Sequence, residues 1–428
     1  MKFKFYLEDG KEVIFDNQTL ALDDDSISYK IRKHKMEYYT PQPVDKSKPF
    51  LRRVKFVMGF SCNFKCKYCH QAPFMMPRTK DEDIELAKQT VRNILDKYDV
   101  GFCFEIWGGE PLLYWEMYKA VVEEIRKHPC GANLQISTIS NGSLVTKEKM
   151  EFILKNKIHF LMSHDAQGQH LRNKKDPLDK PEVIEGLKWF WENDGHFSFH
   201  MVTTPENCNI IEACNWLRSK TFEDVDITIE GLVNKFSYNK EYTTFSEENI
   251  ATMIATYSEA MKDDGKYICV PFKIDAITRM MCGGKCDDND KGNVKYKLEK
   301  FMYPLTLFKD SVTKCACEDP SETVLPIYYN GDVLYCHGEP CKLRDLGNVN
   351  TDEEIDLSKK LKYHTPYGLS QKCQECIALN VCRGGCSRAL GEEHDYYCQN
   401  GFIRGLVYIC ASIYHIYGKH LSKIERIE

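Results

Sequence analysis

Several things are missing from this chain of 428 residues, and each absence closes a class of function. No apolar run is long enough to cross a bilayer, so a helical membrane protein is excluded from the expectations. The first residues, Met1-Lys2-Phe3-Lys4-Phe5, alternate charge with apolar side chains and lack the core of a secretory signal. A cytoplasmic location is the expectation. There is no excess of positive charge: Lys and Arg total 58 against 63 Asp and Glu, a net of −5. No basic stretch stands out, and no nucleic-acid partner is expected. Cysteine, by contrast, is plentiful, with twenty copies. In a chain that reads as cytosolic these are a poor match to a disulfide framework and point to metal. A hydrophobic fraction of 43% is enough for real cores, and the length suggests two or three domains.

The cysteines cluster in two places. Residues 57–70 read Val-Met-Gly-Phe-Ser-Cys-Asn-Phe-Lys-Cys-Lys-Tyr-Cys-His, directly after an apolar run that predicts a strand over 54–60. Cys62, Cys66 and Cys69 are therefore spaced C-x3-C-x2-C. Three soft thiolates in so short a loop suit an iron–sulfur cluster with one iron left open. The plainer alternatives are a zinc site, which ordinarily takes four ligands, and inert buried thiols. A second signal, Trp107-Gly108-Gly109-Glu110-Pro111, follows another apolar run. Alone it would read as a turn.

Together the two motifs resemble the radical S-adenosylmethionine (radical SAM) superfamily. The resemblance implies that Cys62, Cys66 and Cys69 hold a [4Fe–4S] cluster and that Gly108, Gly109 and Glu110 receive the amino group of S-adenosylmethionine. It implies that Tyr68 lies near the adenine. Ser163-His164-Asp165 resembles the family's S-x-D-G turn, with Ala166 in place of the glycine. Ser163 is then expected at the ribose and Arg172 at the cofactor, against the simpler readings of a helix cap and a solvated charge. His70 and His164 could each face the active site; the plainer reading is that each satisfies a loop backbone group.

Apolar runs alternate with amphipathic segments from about 53 to 234. Candidate strands are 54–60, 101–107, 133–139, 158–163, 197–203 and 225–230. Candidate helices are Asp83–Lys97, Glu116–Lys127, Lys147–Lys155, Pro181–Trp191 and Ile210–Ser219. Six such units predict an α/β fold with a parallel sheet and ligands at its C-terminal strand ends. The resemblance names it as a partial (β/α)6 TIM-like barrel. The expected domains are a strand-rich extension (1–50, with a hairpin around Glu8-Asp9-Gly10-Lys11), the barrel (51–234), a bridge (235–310, with a helix around Ser246–Lys262) and a cysteine-rich domain (311–428). The extension is expected either to help recruit a leader peptide or to add a strand pair that extends or caps the barrel.

The last domain holds the second cluster of cysteines. Cys317, Gly331 and Cys336 are spaced C-x13-G-x4-C, and Cys373, Cys376, Cys382 and Cys386 follow as C-x2-C-x5-C-x3-C, with Cys398 later. A zinc ribbon on Cys373, Cys376, Cys382 and Cys386 is the plain alternative. The order resembles the SPASM domain of peptide and protein maturases, which implies two auxiliary [4Fe–4S] clusters. One would use Cys373, Cys376, Cys382 and Cys398. The other would use Cys336 and Cys386, with Cys315 and Cys317 as candidates for its remaining places and Cys341, Cys282 and Cys286 also open. Cys103, Cys130, Cys208, Cys214, Cys269 and Cys410 read as packing residues.

The resemblance implies reductive cleavage of S-adenosylmethionine to a 5′-deoxyadenosyl radical, then hydrogen abstraction from a peptide or protein. The partners implied are a precursor peptide or protein and a reductant such as flavodoxin or ferredoxin. Sulfatase maturation is a second reading, weakened because His337, with Glu339 two residues on, stands where that group places an Asp after the cysteine. His337 is accordingly a candidate catalytic residue. Small-molecule dehydrogenation and a non-catalytic electron carrier are the remaining alternatives.

Overall fold

The computed structural model describes residues 1–28, 47–69, 71–72, 75, 83–232, 242, 244–262, 272–283, 324–336, 346–351, 355, 370–382, 384–385 and 391–427. Seven parallel strands form the central sheet: β3 (Phe50–Val57), β4 (Asp99–Trp107), β5 (Ile136–Ser140), β6 (Ile158–Ser163), β7 (Phe197–Thr203), β8 (Asp226–Leu232) and β9 (Val324–Tyr328). Their order is β8-β7-β6-β5-β4-β3-β9. Helices α1 (Ile84–Lys97), α2 (Trp115–Lys127), α3 (Lys147–Lys155), α4 (Pro181–Glu192) and α5 (Ile210–Lys220) alternate with the first six of these strands. The expected units thus stand in their expected order, with ends within a few residues.

Local chemistry explains where the helices begin. Asp83 caps α1 by accepting from the Leu86 N–H at 2.9 Å, Asn209 caps α5 through the Glu212 N–H at 3.1 Å, and Pro181 opens α4. In α1 the buried residues Ala87, Val91, Ile94 and Leu95 recur at one-turn spacing and meet the sheet.

The sheet has two unlike faces, because side chains alternate along each strand. Val54, Phe56, Phe104, Ile106, Phe160, Met162, Phe199 and Met201 enter one continuous apolar core with the helices. The opposite face carries a polar row in register: Lys55 beside Glu105, Glu105 beside Ser137, and Ser137 beside His159. Glu105 is paired there with Arg53 at 3.2 Å.

Two strands from residues 311–428 join other parts of the chain. β9 pairs in parallel with β3, setting Pro326 opposite Lys55. The tolerated place for a proline in a sheet is an edge, and β9 is one. β10 (Leu421–Arg426) pairs antiparallel with β1 (Lys2–Leu7), which also pairs with β2 (Glu12–Asp16). Of the two roles expected of the extension, extending the barrel sheet is therefore not what the hairpin does; it builds a separate three-stranded sheet with the far end of the chain. Among the described residues, α6 (Glu247–Lys262) and α7 (Phe272–Met281) pack on the 26-residue α8 (Glu392–Tyr417).

Candidate functional site

Three loops converge at the C-terminal ends of β3, β4 and β5. The cysteine loop leaves β3 and is laced to the loop after β4. The Met58 N–H donates to the Trp107 carbonyl at 2.9 Å, the Gly109 N–H to Gly59 at 2.9 Å, and the Glu110 N–H to Ser61 at 2.9 Å. This crossing requires glycine. A Cβ on Gly108 would lie 2.8 Å from the Gly59 carbonyl oxygen, and one on Gly109 would collide with the Ser61 carbonyl. Within the loop Phe64 is buried, the Phe64 N–H points at the Cys62 sulfur at 3.4 Å, and the Cys69 N–H closes a turn on the Cys66 carbonyl at 3.1 Å. From the loop after β5, Asn141 reaches Asn63 at 2.8 Å and the Cys62 sulfur at 3.9 Å.

Glu110 is the buried hinge of this arrangement, at 1% exposure. Its carboxylate accepts from the Asn141 N–H (2.7 Å), the Ser140 hydroxyl (2.8 Å) and the Leu112 N–H (3.0 Å). Burial raises its pKa, and those donors oppose the rise. An ionised carboxylate has about four acceptor positions, so three protein donors leave room for one more.

Across the cysteine loop lies a second buried charge group. Arg172 Nη1 is 3.3 Å from the Tyr68 hydroxyl and 3.6 Å from Asp165 Oδ1, and its Nε is buried without a partner. Tyr68 donates to Asp165, whose other oxygen accepts from the Val202 N–H at 3.0 Å. Burial pushes the Asp165 carboxyl up to about 6 against the pull of Arg172. Arg172 is thus an enclosed cation beside the cysteines, and the solvated-charge reading does not hold. Ser163 ends β6 half-buried, in register with His200.

His164 is accounted for by the fold. The Ala166 N–H donates to its Nδ1 at 3.0 Å, which leaves Nε2–H to face Asp176 at 2.9 Å, and the ring stacks on Trp216. The bond holds the turn in which Ala166 replaces glycine, and Ala166 adopts φ +49°, the left-handed region.

The thiols fit a soft metal cluster by their chemistry. Burial pushes Cys62 up to about 12 and Cys66 up to about 11, and raises Cys69; each of the first two thiols feels charge on other cysteines of the trio, and Arg172 lowers Cys66 and Cys69. Among the described residues no group of three or more His, Cys, Asp or Glu side chains is already drawn together to hold a metal ion. The fit therefore rests on donor type and placement: three thiols on one loop, a nearby cation to offset negative charge, and Glu110 with acceptor capacity to spare.

A second set of thiols surrounds a cavity of about 310 Å³ in the C-terminal part, lined by Cys373, Cys376, Cys382 and Cys398. Cys398 comes from α8, and the other three from the segment 370–382. The two pack closely because α8 presents Gly401 and Gly405, where a Cβ would strike the Cys382 sulfur and the Ala378 side chain. Burial pushes Cys376 up to about 11, opposed by the Ala378 N–H. Cys336 is half-buried and does not line this cavity. Cys282 is buried at the end of α7. Cys315, Cys317, Cys386, His337, His70, Cys269, Cys286 and Cys341 lie outside the described residues. Asn141 and Asp165 lie in turns that the sequence places at the C-terminal strand ends, Ser140-Asn141-Gly142 and Ser163-His164-Asp165, with no role of their own, and Gly401 was not singled out. Asp165 had a signal, its place in the serine turn, whereas Gly401 is one glycine among 25.

Comparison with known proteins gives a family match and a shared fold. Residues 56–217 match the Radical SAM superfamily. The radical SAM cyclopropyl synthase TigE of Paramaledivibacter caminithermalis is 22% identical over 171 residues, and the match spans 36% of this chain and 36% of that protein. The serine-type anaerobic sulfatase-maturating enzyme of Bacteroides thetaiotaomicron is 22% identical over 88% of this chain and 90% of its own length. The structure of anSMEcpe with bound AdoMet shares the fold, with a TM-score of 0.56 and 19% identity over 81% of this chain and 94% of that one. The cysteine loop, Gly108-Gly109-Glu110 and Arg172 all lie inside the segment that matches the Radical SAM superfamily.

Proposed function

We propose that this protein is a radical SAM maturase that oxidatively modifies a ribosomally made peptide or a protein, forming a thioether or another side-chain cross-link. The observation that carries the reading is the pairing of two thiol sites in one chain. One is a three-cysteine loop at the C-terminal sheet edge, flanked by Glu110 and Arg172; the other is a cavity lined by four further cysteines. The first suits a [4Fe–4S] cluster with an open iron. The second suits a closed one. Bound at the first site, the cluster and S-adenosylmethionine would supply a 5′-deoxyadenosyl radical able to take hydrogen from an unactivated C–H bond.

The chain's own residues have separable tasks in this reading. Cys62, Cys66 and Cys69 ligate iron after losing their protons, which burial otherwise retains. Glu110 takes the amino group of S-adenosylmethionine at its remaining acceptor position, and Gly108 and Gly109 keep the adjoining backbone close. Tyr68, held by Asp165 and Arg172, sits at the adenine. Ser163 faces the ribose, and Arg172 balances the charge beside Cys66. Cys373, Cys376, Cys382 and Cys398 hold an auxiliary cluster that accepts the electron left on the substrate radical. Cys336 and Cys386, with Cys315 and Cys317, would serve a second one. A flavodoxin or ferredoxin would supply the first electron. A peptide substrate fits the relative anSMEcpe, which has also been solved with the Cp18Cys peptide. Sulfatase maturation is favoured as the second reading by the near full-length match to the Bacteroides enzyme.

The test uses the anaerobic protein with its clusters reconstituted. Cys373→Ala/Cys376→Ala should still cleave S-adenosylmethionine with a strong reductant and should fail to convert substrate. The two readings are separated by the substrate offered: a short peptide encoded beside the gene, or a sulfatase peptide bearing Ser or Cys. A folded variant lacking this cluster that makes product at the wild-type rate would show that the C-terminal thiols have no part in turnover.

A further inference from the structure

We infer that Asn17 is a positioning residue for the C-terminal thiol site, and that the sheet formed by β1, β2 and β10 braces the segment that carries Cys373 and Cys376. The inference rests on the auxiliary-cluster reading for its consequence and on geometry alone for its existence. Asn17 follows β2 and is fully buried. Its amide Nδ2 donates to the carbonyl of Gln374 at 2.9 Å and to that of Cys376 at 2.7 Å. Both partners are acceptors only, so the amide nitrogen has to be the atom facing them. From the other side, Asn380 Nδ2 donates to the Asn17 carbonyl at 2.7 Å and also to Gln18. A turn near the N-terminus therefore clasps both ends of the short segment 374–380, more than 350 residues away.

The turn is built to be rigid. The Asn17 N–H donates to Met1 at 3.1 Å, and Asp16 Oδ1 accepts from the N–H groups of Gln18 and Thr19 at 2.7 and 3.2 Å. β10 adds a third attachment, Arg426 to Glu375 at 2.9 Å, on the residue between the two clasped carbonyls. In a trans peptide the C=O and N–H point in opposite directions. Anchoring the Cys376 carbonyl on Asn17 therefore turns the next N–H away from Asn17. One peptide further on, the Ala378 N–H favours the Cys376 thiolate. N–H groups aimed at sulfur are one means by which a protein raises a cluster's reduction potential. Asn17 thus fixes the backbone that carries Cys373 and Cys376, and with it the spacing of their thiols, without touching a thiol itself.

The experiment has one arm that needs no cluster. In the apoprotein, alkylation of Cys373 and Cys376 by iodoacetamide is followed by mass spectrometry, with the peptide containing Cys62, Cys66 and Cys69 as internal control. Losing two part-buried hydrogen bonds should raise local opening, and with it the Cys373 and Cys376 rates, by about tenfold in Asn17→Ala. Asn380→Ala breaks the same clasp from the other side and reads the result should Asn17→Ala fail to fold. Gln18→Ala, which loses only an exposed contact to Gln374, should match wild type. Unchanged rates in both Asn variants would overturn the brace. In the second arm, reconstituted Asn17→Ala should lose about four irons, or retain an auxiliary cluster whose potential has fallen, while the signal of the N-terminal cluster stays put. An unchanged auxiliary potential at full iron content would overturn the positioning role. Wild-type protein that never takes more than about four irons would defeat the auxiliary-cluster reading instead, and the thiol rates would still decide the brace.

Discussion

The two thiol sites differ in how the chain assembles them. The N-terminal trio lies within eight residues, and its supports come from the next three strands of the same sheet: the loop after β4, Asn141 after β5, and Asp165 and Arg172 after β6. The C-terminal four are drawn from a 26-residue span of Cys373 to Cys398 and depend on a turn at Asn17 and on the bare face of α8 at Gly401 and Gly405. One site is local and rests on a sheet edge. The other is non-local and rests on partners that sequence spacing does not reveal. The first should tolerate damage to the rest of the chain; the second should fail when a distant contact fails.

The comparison breaks most completely at the first site. Replacing Cys62, Cys66 and Cys69 together by Ala should remove about four of the roughly twelve irons expected for three clusters and abolish cleavage of S-adenosylmethionine. Iron analysis and the yield of 5′-deoxyadenosine measure both effects. Cleavage at the wild-type rate would defeat the assignment of the trio. The irons proposed for the C-terminal cavity should stay, since no residue of the first loop lines it.

A smaller change separates the two supports. Gly401→Ala places a methyl against the Cys382 sulfur, whereas Gly109→Ala places one against the Ser61 backbone. The first should cost the auxiliary site about four irons and leave S-adenosylmethionine cleavage intact. The second should weaken S-adenosylmethionine binding, because Glu110 and the cysteine loop can no longer close on each other, and should leave the auxiliary irons in place. Overpacking of this kind typically costs about 1–3 kcal/mol, so both variants should remain folded by circular dichroism. If the two changes produce the same loss, the sites are coupled and the local-versus-distant distinction is wrong.

The same distinction explains what could be read from the sequence. The strand–helix units from Phe50 to Leu232 were legible because each is fixed by its own periodicity and caps, as Asp83 and Pro181 show. The cysteine loop and Gly108-Gly109-Glu110 were legible because their chemistry is contiguous. β9 was not, because Pro326 in Val-Leu-Pro-Ile-Tyr argues against a strand unless the strand is known to be an edge. β10 was missed because its pairing with β1 spans the whole chain and leaves no local trace. Asn17 was invisible for the same reason: one asparagine after a strand is an ordinary turn residue until the segment it clasps is seen.

The smallest effect tests a place where the local site departs from the pattern it resembles, the alanine in the serine turn. Ala166 occupies φ +49°, a conformation in which a non-glycine residue loses about 1–2 kcal/mol per residue relative to the right-handed region. Its N–H is spoken for by His164 Nδ1, so the turn itself should persist when the side chain changes. Ala166→Gly relieves the clash of Cβ with the backbone. Against that, glycine costs about 0.4–1 kcal/mol through the larger freedom of the unfolded chain, and the buried methyl loses its contacts. The two sides nearly balance, and the strain term is the larger. We expect a gain of at most about 1 kcal/mol in the stability of the apoprotein by calorimetry. Affinity for S-adenosylmethionine should stay within about twofold, since a residue whose bond to His164 survives leaves Tyr68, Asp165 and Arg172 where they are. A clear loss of stability would mean that the methyl's packing outweighs its strain and that alanine was fitted to this turn. Weakened affinity at unchanged stability would mean instead that the turn carries Asp165 with it, and that the first site is less local than its contacts suggest.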